Sequence, residues 1–374
     1  MPASVRLAAF YFAFFVYAGL SLAYLPAYLA ARGLGAAEIA WVLALPQMVR
    51  VFAPALWGWI ADRTGAQRAI VVLGCGANAV CFSLVPFANG VAGLAALVAA
   101  ASFLSAAALP LVEAITLGAL AGRPGRYGPI RLWGSLGFIA AVLAGGEWLD
   151  RHPATTLPPA LVLLGLASLV AALALPGRRV NVATPSFAFV LPREARWLLA
   201  CGFCMALAHG TLYAFLTLHL QRAGYSNSLI GIFWTVGVVA EVLVFVALPA
   251  LFRHASLGAI LVASCLLGVV RFLLIGWAAD WIWLLAAAQL MHAATFGAFH
   301  AASVAAIHRL FPAGGQARGQ TLFSSVAYGA GGAAGALSAG WAWELGGAGP
   351  AFSLSALAAL AGVFLAYRLK RAGL

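Results

Sequence analysis

Charge is what this chain has least of. Of 374 residues only 8% are Asp, Glu, Lys or Arg, and only nine are acidic. A soluble domain carries about 25% charged residues, so a water-soluble globular enzyme, a disordered chain and a coiled coil are all excluded. Catalytic signatures are missing as well. There is no H-E-x-x-H, no G-x-S-x-G and no phosphate-binding glycine loop, which argues against an intramembrane enzyme. Metal-spaced ligands are missing too. His292, His300 and His308 are eight residues apart rather than three or four, and no metal or other cofactor is expected. The five Cys lie in apolar segments, and the Cys201-x-x-Cys204 pair reads as small-residue packing inside a membrane helix.

What is present is apolar. The hydrophobic fraction is 64%, with twelve Trp and 41 Gly, the composition of a polytopic membrane protein. A membrane helix needs about 20 mainly apolar residues. Cutting at Gly, Pro and charged clusters predicts twelve such helices, near 7–30, 38–61, 68–88, 93–121, 129–149, 157–176, 196–221, 228–252, 257–278, 281–309, 319–343 and 350–370. The first apolar run is too long for a signal-peptide core and reads as a retained helix. The longest polar stretch, 177–195, separates six helices from six. The expected organisation is all-α: a six-helix bundle over 1–176, a linker over 177–195 and a second bundle over 196–374.

The net charge of +12 would suggest nucleic acid in a soluble protein. Here the basic residues sit in short connectors, with no basic and aromatic surface to hold a strand, so no nucleic-acid partner is expected. Arg6, Arg63, Arg68, Arg178, Arg193, Arg253, Arg309 and Arg368 fall on one side of the predicted bilayer, and Arg32, Arg151 and Arg222 on the other. By the positive-inside rule the termini and the linker are expected in the cytoplasm.

A weak internal repeat underlies the two halves. A shift of 191 residues aligns Gly19 with Gly210, Gly33 with Gly224, and Arg50 with Glu241. A parallel repeat of two six-helix halves is the arrangement of major facilitator transporters.

Several residues are costly where they stand. A charge at the bilayer centre costs about 2.5–3.5 kcal/mol, so Arg50, Glu113, Arg131, Glu241 and Arg271 must pair or line a wet cavity. Glu113 and Arg131 flank one helical hairpin, and Glu241 and Arg271 another, so each half is expected to hold one acid–base pair. Helical spacing puts Gln289, His292, Phe296, His300 and Ser303 on one face. His209 and Tyr213 share a face of helix 7, and Tyr17 and Tyr24 a face of helix 1, deep enough to need hydrogen-bond partners. Glu113, Arg131, Arg50, Tyr17, Tyr24, His209, Tyr213, Phe296 and His300 are the candidate substrate contacts, with Glu241, Arg271, His292 and Glu113 the candidates for proton coupling. The loop Gly58-Trp59-Ile60-Ala61-Asp62-Arg63-Thr64-Gly65-Ala66-Gln67-Arg68 is a candidate cytoplasmic gate. In it Gly58 would admit a neighbouring helix, and Asp62 would accept from a helix N-terminus or an Arg.

That loop is similar to the signature loop of the major facilitator superfamily. Tyr127-Gly128-Pro129-Ile130-Arg131-Leu132-Trp133-Gly134-Ser135 resembles the helix-5 signature of its 3-phenylpropionate permease group. His292-Ala293-Ala294-Thr295-Phe296-Gly297, Arg318-Gly319-Gln320, Tyr328-Gly329 and Gly340-Trp341 extend the resemblance along nearly the whole chain. The group is related to lactose permease and to nucleoside–proton symporters. Glu113 and Arg131 resemble the sugar-binding pair of lactose permease, and Glu241, Arg271 and His292 its second-half coupling set. Thr295 stands where that permease has a further Glu.

The resemblance implies a monomeric bacterial inner-membrane symporter driven by protons, taking up a small organic solute such as an aromatic carboxylate. Arg131, Arg50 or Arg271 would then meet the anion, and Tyr17, Tyr24 and Phe296 the ring. A sugar or a nucleoside is the alternative substrate, and drug export a third reading.

Overall fold

Lipid offers the backbone no hydrogen-bond partner, and a helix satisfies its own N–H and C=O groups within one segment. The computed structural model, which describes residues 2–120, 126–177, 191–312 and 315–374, adopts that solution throughout, with no strand among the described residues. Eleven helices are long and apolar enough to cross a bilayer: α1 (Ala3–Ala31), α2 (Ala36–Thr64), α3 (Gln67–Phe87), α4 (Gly90–Ala119), α5 (Tyr127–Arg151), α6 (Ala154–Leu173), α7 (Arg193–Arg222), α8 (Asn227–His254), α9 (Leu257–Trp277), α10 (Ile282–Leu310) and α12 (Ala348–Arg371). A twelfth, α11 (316–346), runs on through a wider π-helical segment at Ser324–Gly331. All twelve expected helices are found. Most of the expected 177–195 linker, with Arg178, lies outside the described residues.

Large apolar side chains face outward along the helices. Leu163, Val170, Val246 and Phe364 are 68%, 67%, 76% and 65% exposed. In water such a surface would drive association; in lipid it is the required one.

Proline sets the breaks. Its ring lacks an N–H and crowds the carbonyl four residues back. The helical ladder of α2 gives way at Val51–Phe52, ahead of Pro54, and that of α4 at Ala106–Ala107, ahead of Pro110. The first break falls directly after Arg50. A second π-helical segment, Ala293–Ala298, interrupts α10. Such segments are rare and concentrate at functional sites.

By contacts the chain forms two compact units. The first comprises Met1–Leu34, Phe52–Ala183 and Ser226–Gly231, and the second Gly35–Val51, Thr184–Tyr225 and Ile232–Leu374. This division differs from the 1–176 and 196–374 bundles read from the sequence, because α2 is divided at its break and the first turn of α8 joins α5. The reason is close packing. A Cβ on Gly340 of α11 would lie 2.3 Å from that of Ala40, and one on Gly231 of α8 would lie 2.3 Å from the Val142 carbonyl of α5. In the first unit Leu7, Phe10, Val71 and Val112 are central to the core; in the second, Leu198, Leu261, Phe299 and Phe323.

Candidate substrate and coupling site

Eight of the residues singled out from the sequence fall in the second unit: Arg50, His209, Tyr213, Glu241, Arg271, His292, Phe296 and His300. They form a buried layer and a partly accessible one.

Arg271 on α9 anchors the buried layer. It is 1% exposed, the largest fully buried side chain of the protein. Its Nε donates to the Ala288 carbonyl at 3.0 Å. One terminal nitrogen donates to Thr295 Oγ1 at 2.9 Å and to His209 Nε2 at 3.2 Å, and the other to Gln289 Oε1 at 3.4 Å. All four partners are neutral. The expected Glu241–Arg271 pair does not form: among the described residues no carboxylate lies in ion-pair range of Arg271, and Glu241 Oε2 instead approaches His292 Nε2 at 3.7 Å. The neutral shell explains how the cation is tolerated, since buried charge requires saturated hydrogen bonding.

This shell also fixes the form of His209. Its Nδ1 lies 2.8 Å from the Met205 carbonyl, which can only accept, so Nδ1 carries the hydrogen and Nε2 is the lone-pair nitrogen facing Arg271. A second proton would break the bond to Arg271 and set two cations 3.2 Å apart. His209 therefore orients Arg271.

The second layer is built on rings and runs from buried His292 to the partly accessible Phe296 and His300. His292, Phe296 and His300 stack as a ladder, with centroids 5.2 and 6.4 Å apart and planes within 13° and 15°. Steps of four residues drift by about 40° each in an α-helix. The wider turn at Ala293–Ala298 offsets that drift. His300 Nδ1 meets the Tyr328 hydroxyl of α11 at 2.8 Å, and Tyr213 lies parallel to Trp234, with ring centroids 6.3 Å apart.

Arg50 ends the first half of α2 beside these rings, within electrostatic reach of Tyr213 and Tyr328. Its side chain is exposed at the middle of a membrane-spanning helix. A guanidinium there cannot face hydrocarbon, so it lines a wet cavity. Arg50 makes no hydrogen bond or ion pair with any described residue.

The first unit holds Glu113, Arg131, Tyr17 and Tyr24. Glu113 and Arg131 are electrostatic neighbours, as expected, but no N···O contact within ion-pair range joins them among the described residues. Tyr127 is also an electrostatic neighbour of Glu113, and the Arg131 guanidinium lies 4.3 Å over the Phe15 ring and 5.6 Å over that of Tyr11. Tyr17 packs edge-on against Phe82, 5.9 Å away. Tyr24 is corrected from substrate contact to packing. It is fully buried, and its hydroxyl donates to the Val142 carbonyl at 2.7 Å and approaches that of Asn227 at 3.2 Å.

The loop residues expected to form a gate lie at the surface. Asp62 is exposed, and a Cβ on Gly58 would meet nothing within 4 Å, so the close helix approach expected at Gly58 is not made in this conformation. Arg63 lies 4.3 Å over the Trp59 ring, and Arg68 donates to the Leu173 carbonyl.

Sequence reasoning assigned no role to Tyr127 or Tyr328, and marked Thr295 only as a departure. Tyr328 lies in a glycine-rich stretch, and its partner is 28 positions away.

Comparison with known proteins places this arrangement in context. Residues 4–354 match the family model described as MFS_1 like family. A protein of Escherichia coli (strain K12) called probable 3-phenylpropionic acid transporter is 32% identical over 267 residues, 69% of each chain. The maltose permease of Geobacillus stearothermophilus is 35% identical over 144 residues, 38% of this chain and 36% of that one. Crystal structures of the nucleoside transporter NupG superpose with TM-scores of 0.86 and 0.82 at 17% and 19% identity, covering 99% of both chains, which shows a shared fold.

Proposed function

The chain belongs to the MFS_1 like family, a multi-pass membrane transporter of small molecules, and on that premise we propose that it imports an aromatic carboxylate together with protons by alternating access. One observation carries the reading: Arg50 is an accessible, unpaired cation at mid-membrane depth, beside Tyr213, Tyr328 and the His292–Phe296–His300 ladder. A cation next to a wall of rings matches a carboxylate joined to an aromatic group. Arg271 is the weaker anion partner because it is sealed and saturated by neutral acceptors. The name of the Escherichia coli relative, probable 3-phenylpropionic acid transporter, agrees in class.

Proton coupling belongs to this proposal, with Glu241, His292, Arg271 and Glu113 the residues the sequence points to. So do a monomeric state and an inner-membrane location with both termini cytoplasmic. The open loop at Gly58–Arg68 is read as a gate in its released state. A sugar or nucleoside is the second reading, favoured by Glu113, whose carboxylate beside Tyr127 suits hydroxyl groups, and by the partial match to a maltose permease.

The test is external pH in a lightly buffered suspension of de-energised proteoliposomes. The expected result is alkalinisation on adding 3-phenylpropionate, absent with Arg50→Gln. Alkalinisation with lactose or a nucleoside alone would replace this substrate by the second reading.

A further inference from the structure

Three histidines of the second unit, His209, His292 and His300, are not equivalent. His209 has both nitrogens committed, one to Met205 and one to Arg271. His292 is 8% exposed; its Nδ1 is buried without a partner and its Nε2 is 3.7 Å from Glu241, beyond hydrogen-bond reach. His300 differs from both. It keeps accessible surface, its Nδ1 makes a 2.8 Å hydrogen bond to Tyr328, and its Nε2 makes none with any described residue.

Tyr328 in turn stands next to the proposed anion site. The neighbouring Gly329 packs so tightly on α2 that a Cβ there would lie 3.0 Å from the backbone nitrogen of Val51, the residue after Arg50. His300, Tyr328 and Arg50 therefore form a line across α10, α11 and α2.

We propose that His300 carries the proton that is taken up with the substrate anion, and that Tyr328 transmits it. The inference rests on the carboxylate reading given above. A neutral imidazole holds one hydrogen, so Nδ1 can either donate to the Tyr328 oxygen or accept its hydrogen. When the imidazole takes up one proton from the aqueous side, both nitrogens carry hydrogen whichever tautomer it started from, and Nδ1 is fixed as a donor to Tyr328. The Tyr328 O–H must then turn to another acceptor, and a carboxylate held by Arg50 supplies one. The chain of donors runs His300 Nδ1–H to Tyr328 oxygen, then Tyr328 O–H to carboxylate. One cationic imidazole is created for each anion bound, and the steps reverse on release. The charged and titratable groups facing this pair are Arg50 from α2, Tyr213 from α7 and Glu241 from α8, with His292 two ladder steps away on α10. Tyr328 is the group in direct contact with the imidazole, so it is the one that can report the proton's presence to the anion site.

The experiment measures 3-phenylpropionate affinity from pH 5.5 to 8.5 on purified full-length protein, with hexanoate as a ringless carboxylate. Both carboxylates stay ionised throughout this range. Linked uptake of one proton makes Kd rise about tenfold per pH unit once pH exceeds the free His300 pKa, with no slope below it. The expected result is that slope in the wild type, its loss in His300→Gln and in Tyr328→Phe, and its retention in His308→Gln, a change at an exposed histidine outside the site. A slope that survives His300→Gln, or vanishes only in Glu241→Gln, overturns the proposal. If neither carboxylate binds the wild type, the substrate reading fails. Spectra of 15N-histidine-labelled protein then decide the present inference without ligand, the His300 signal being identified by its absence in His300→Gln. A His300 imidazole that becomes cationic within this pH range, with Nδ1–H bonded to Tyr328, supports the assignment; a His292 that titrates there while His300 stays neutral refutes it.

Discussion

Asp150 closes the first turn of α8 with both oxygens of one carboxylate: Oδ1 accepts from the Asn227 N–H at 2.6 Å and Oδ2 from that of Ser228 at 2.9 Å. The Ser228 hydroxyl joins Asp150 as well and lies 3.0 Å from Glu147. The next N–H, of Leu229, is met by Ser226 Oγ at 3.3 Å. The start of α2 is built on the same plan with fewer bonds. Its N-cap is Gly35, which has no side-chain acceptor, and Glu344 at the end of α11 accepts from the Ala37 N–H at 3.2 Å. A carboxylate at a helix N-terminus satisfies donors and opposes the positive end of the dipole.

Unequal bonding predicts unequal losses. Asp150→Ala is expected to cost about 1–2 kcal/mol, the range for losing a helix cap, and Glu344→Ala less than half of that. Thermal unfolding in detergent compares the two variants directly. Equal shifts in Tm would mean that the number of bonds does not govern the effect.

Glycine substitutions separate packing from gating. A Cβ on Gly210 of α7 would fall 2.4 Å from the Gly335 backbone of α11. Backbone cannot swing aside as a side chain can, so Gly210→Ala is expected to destabilise by about 1–3 kcal/mol. Gly58→Ala meets open space and should leave the unfolding temperature within 1 °C or so, a shift that corresponds to well under ~0.5 kcal/mol. If Gly58→Ala nevertheless slows uptake several-fold in proteoliposomes, its loop must pack closely in another conformation, as the gate reading requires. Unimpaired uptake would remove Gly58 from the gate.

Much of this architecture is legible in the sequence because membrane helices are limited by one variable, apolar length. Twelve runs predicted twelve helices, and the pattern of unaffordable charges pointed to Arg50, Glu241, Arg271 and His292 before any contact was known. What periodicity cannot supply is the meeting of groups on different helices. Glu241 and Arg271 sit on adjacent helices, yet Arg271 turns to Thr295, Gln289 and His209, because neutral oxygens and an imidazole were close enough to saturate it. The π-helical segments have no sequence period of their own, so neither the stacking of His292 on Phe296 nor the place of Tyr328 was readable. The exchange of half-helices between units follows from Pro54 and from backbone contacts at glycine, which a boundary drawn by polarity does not register.

Tyr24 illustrates the same limit and is testable. A deep tyrosine on an aromatic stripe suggested ligand contact, but its hydroxyl is spent on the Val142 and Asn227 carbonyls. Tyr24→Phe keeps the ring and removes the bonds, so a loss of about 1 kcal/mol of stability is expected, with KM for the transported solute unchanged. A KM raised severalfold at unaltered stability would return Tyr24 to the substrate site.

Arg50 and Arg271 are both mid-membrane arginines, and the structure gives them opposite surroundings. Arg50 is accessible and bonded to no described residue, so Arg50→Gln removes a charge without orphaning a partner. Its stability should stay within about 0.5 kcal/mol of wild type, while affinity for an anionic solute falls by at least about tenfold, the value of one lost charge-assisted bond. Arg271→Gln leaves the Ala288 carbonyl, Thr295 and the lone-pair nitrogen of His209 without their donor in a sealed core. Unsatisfied buried acceptors cost about 1–3 kcal/mol each before relaxation, so this variant is expected to unfold at markedly lower temperature. Paired measurements of Tm and solute Kd on both variants sort the two roles. Should Arg271→Gln prove stable and Arg50→Gln bind normally, the anion would belong at Arg271, and the accessible ring-lined site beside Arg50 would lose its charge-based rationale.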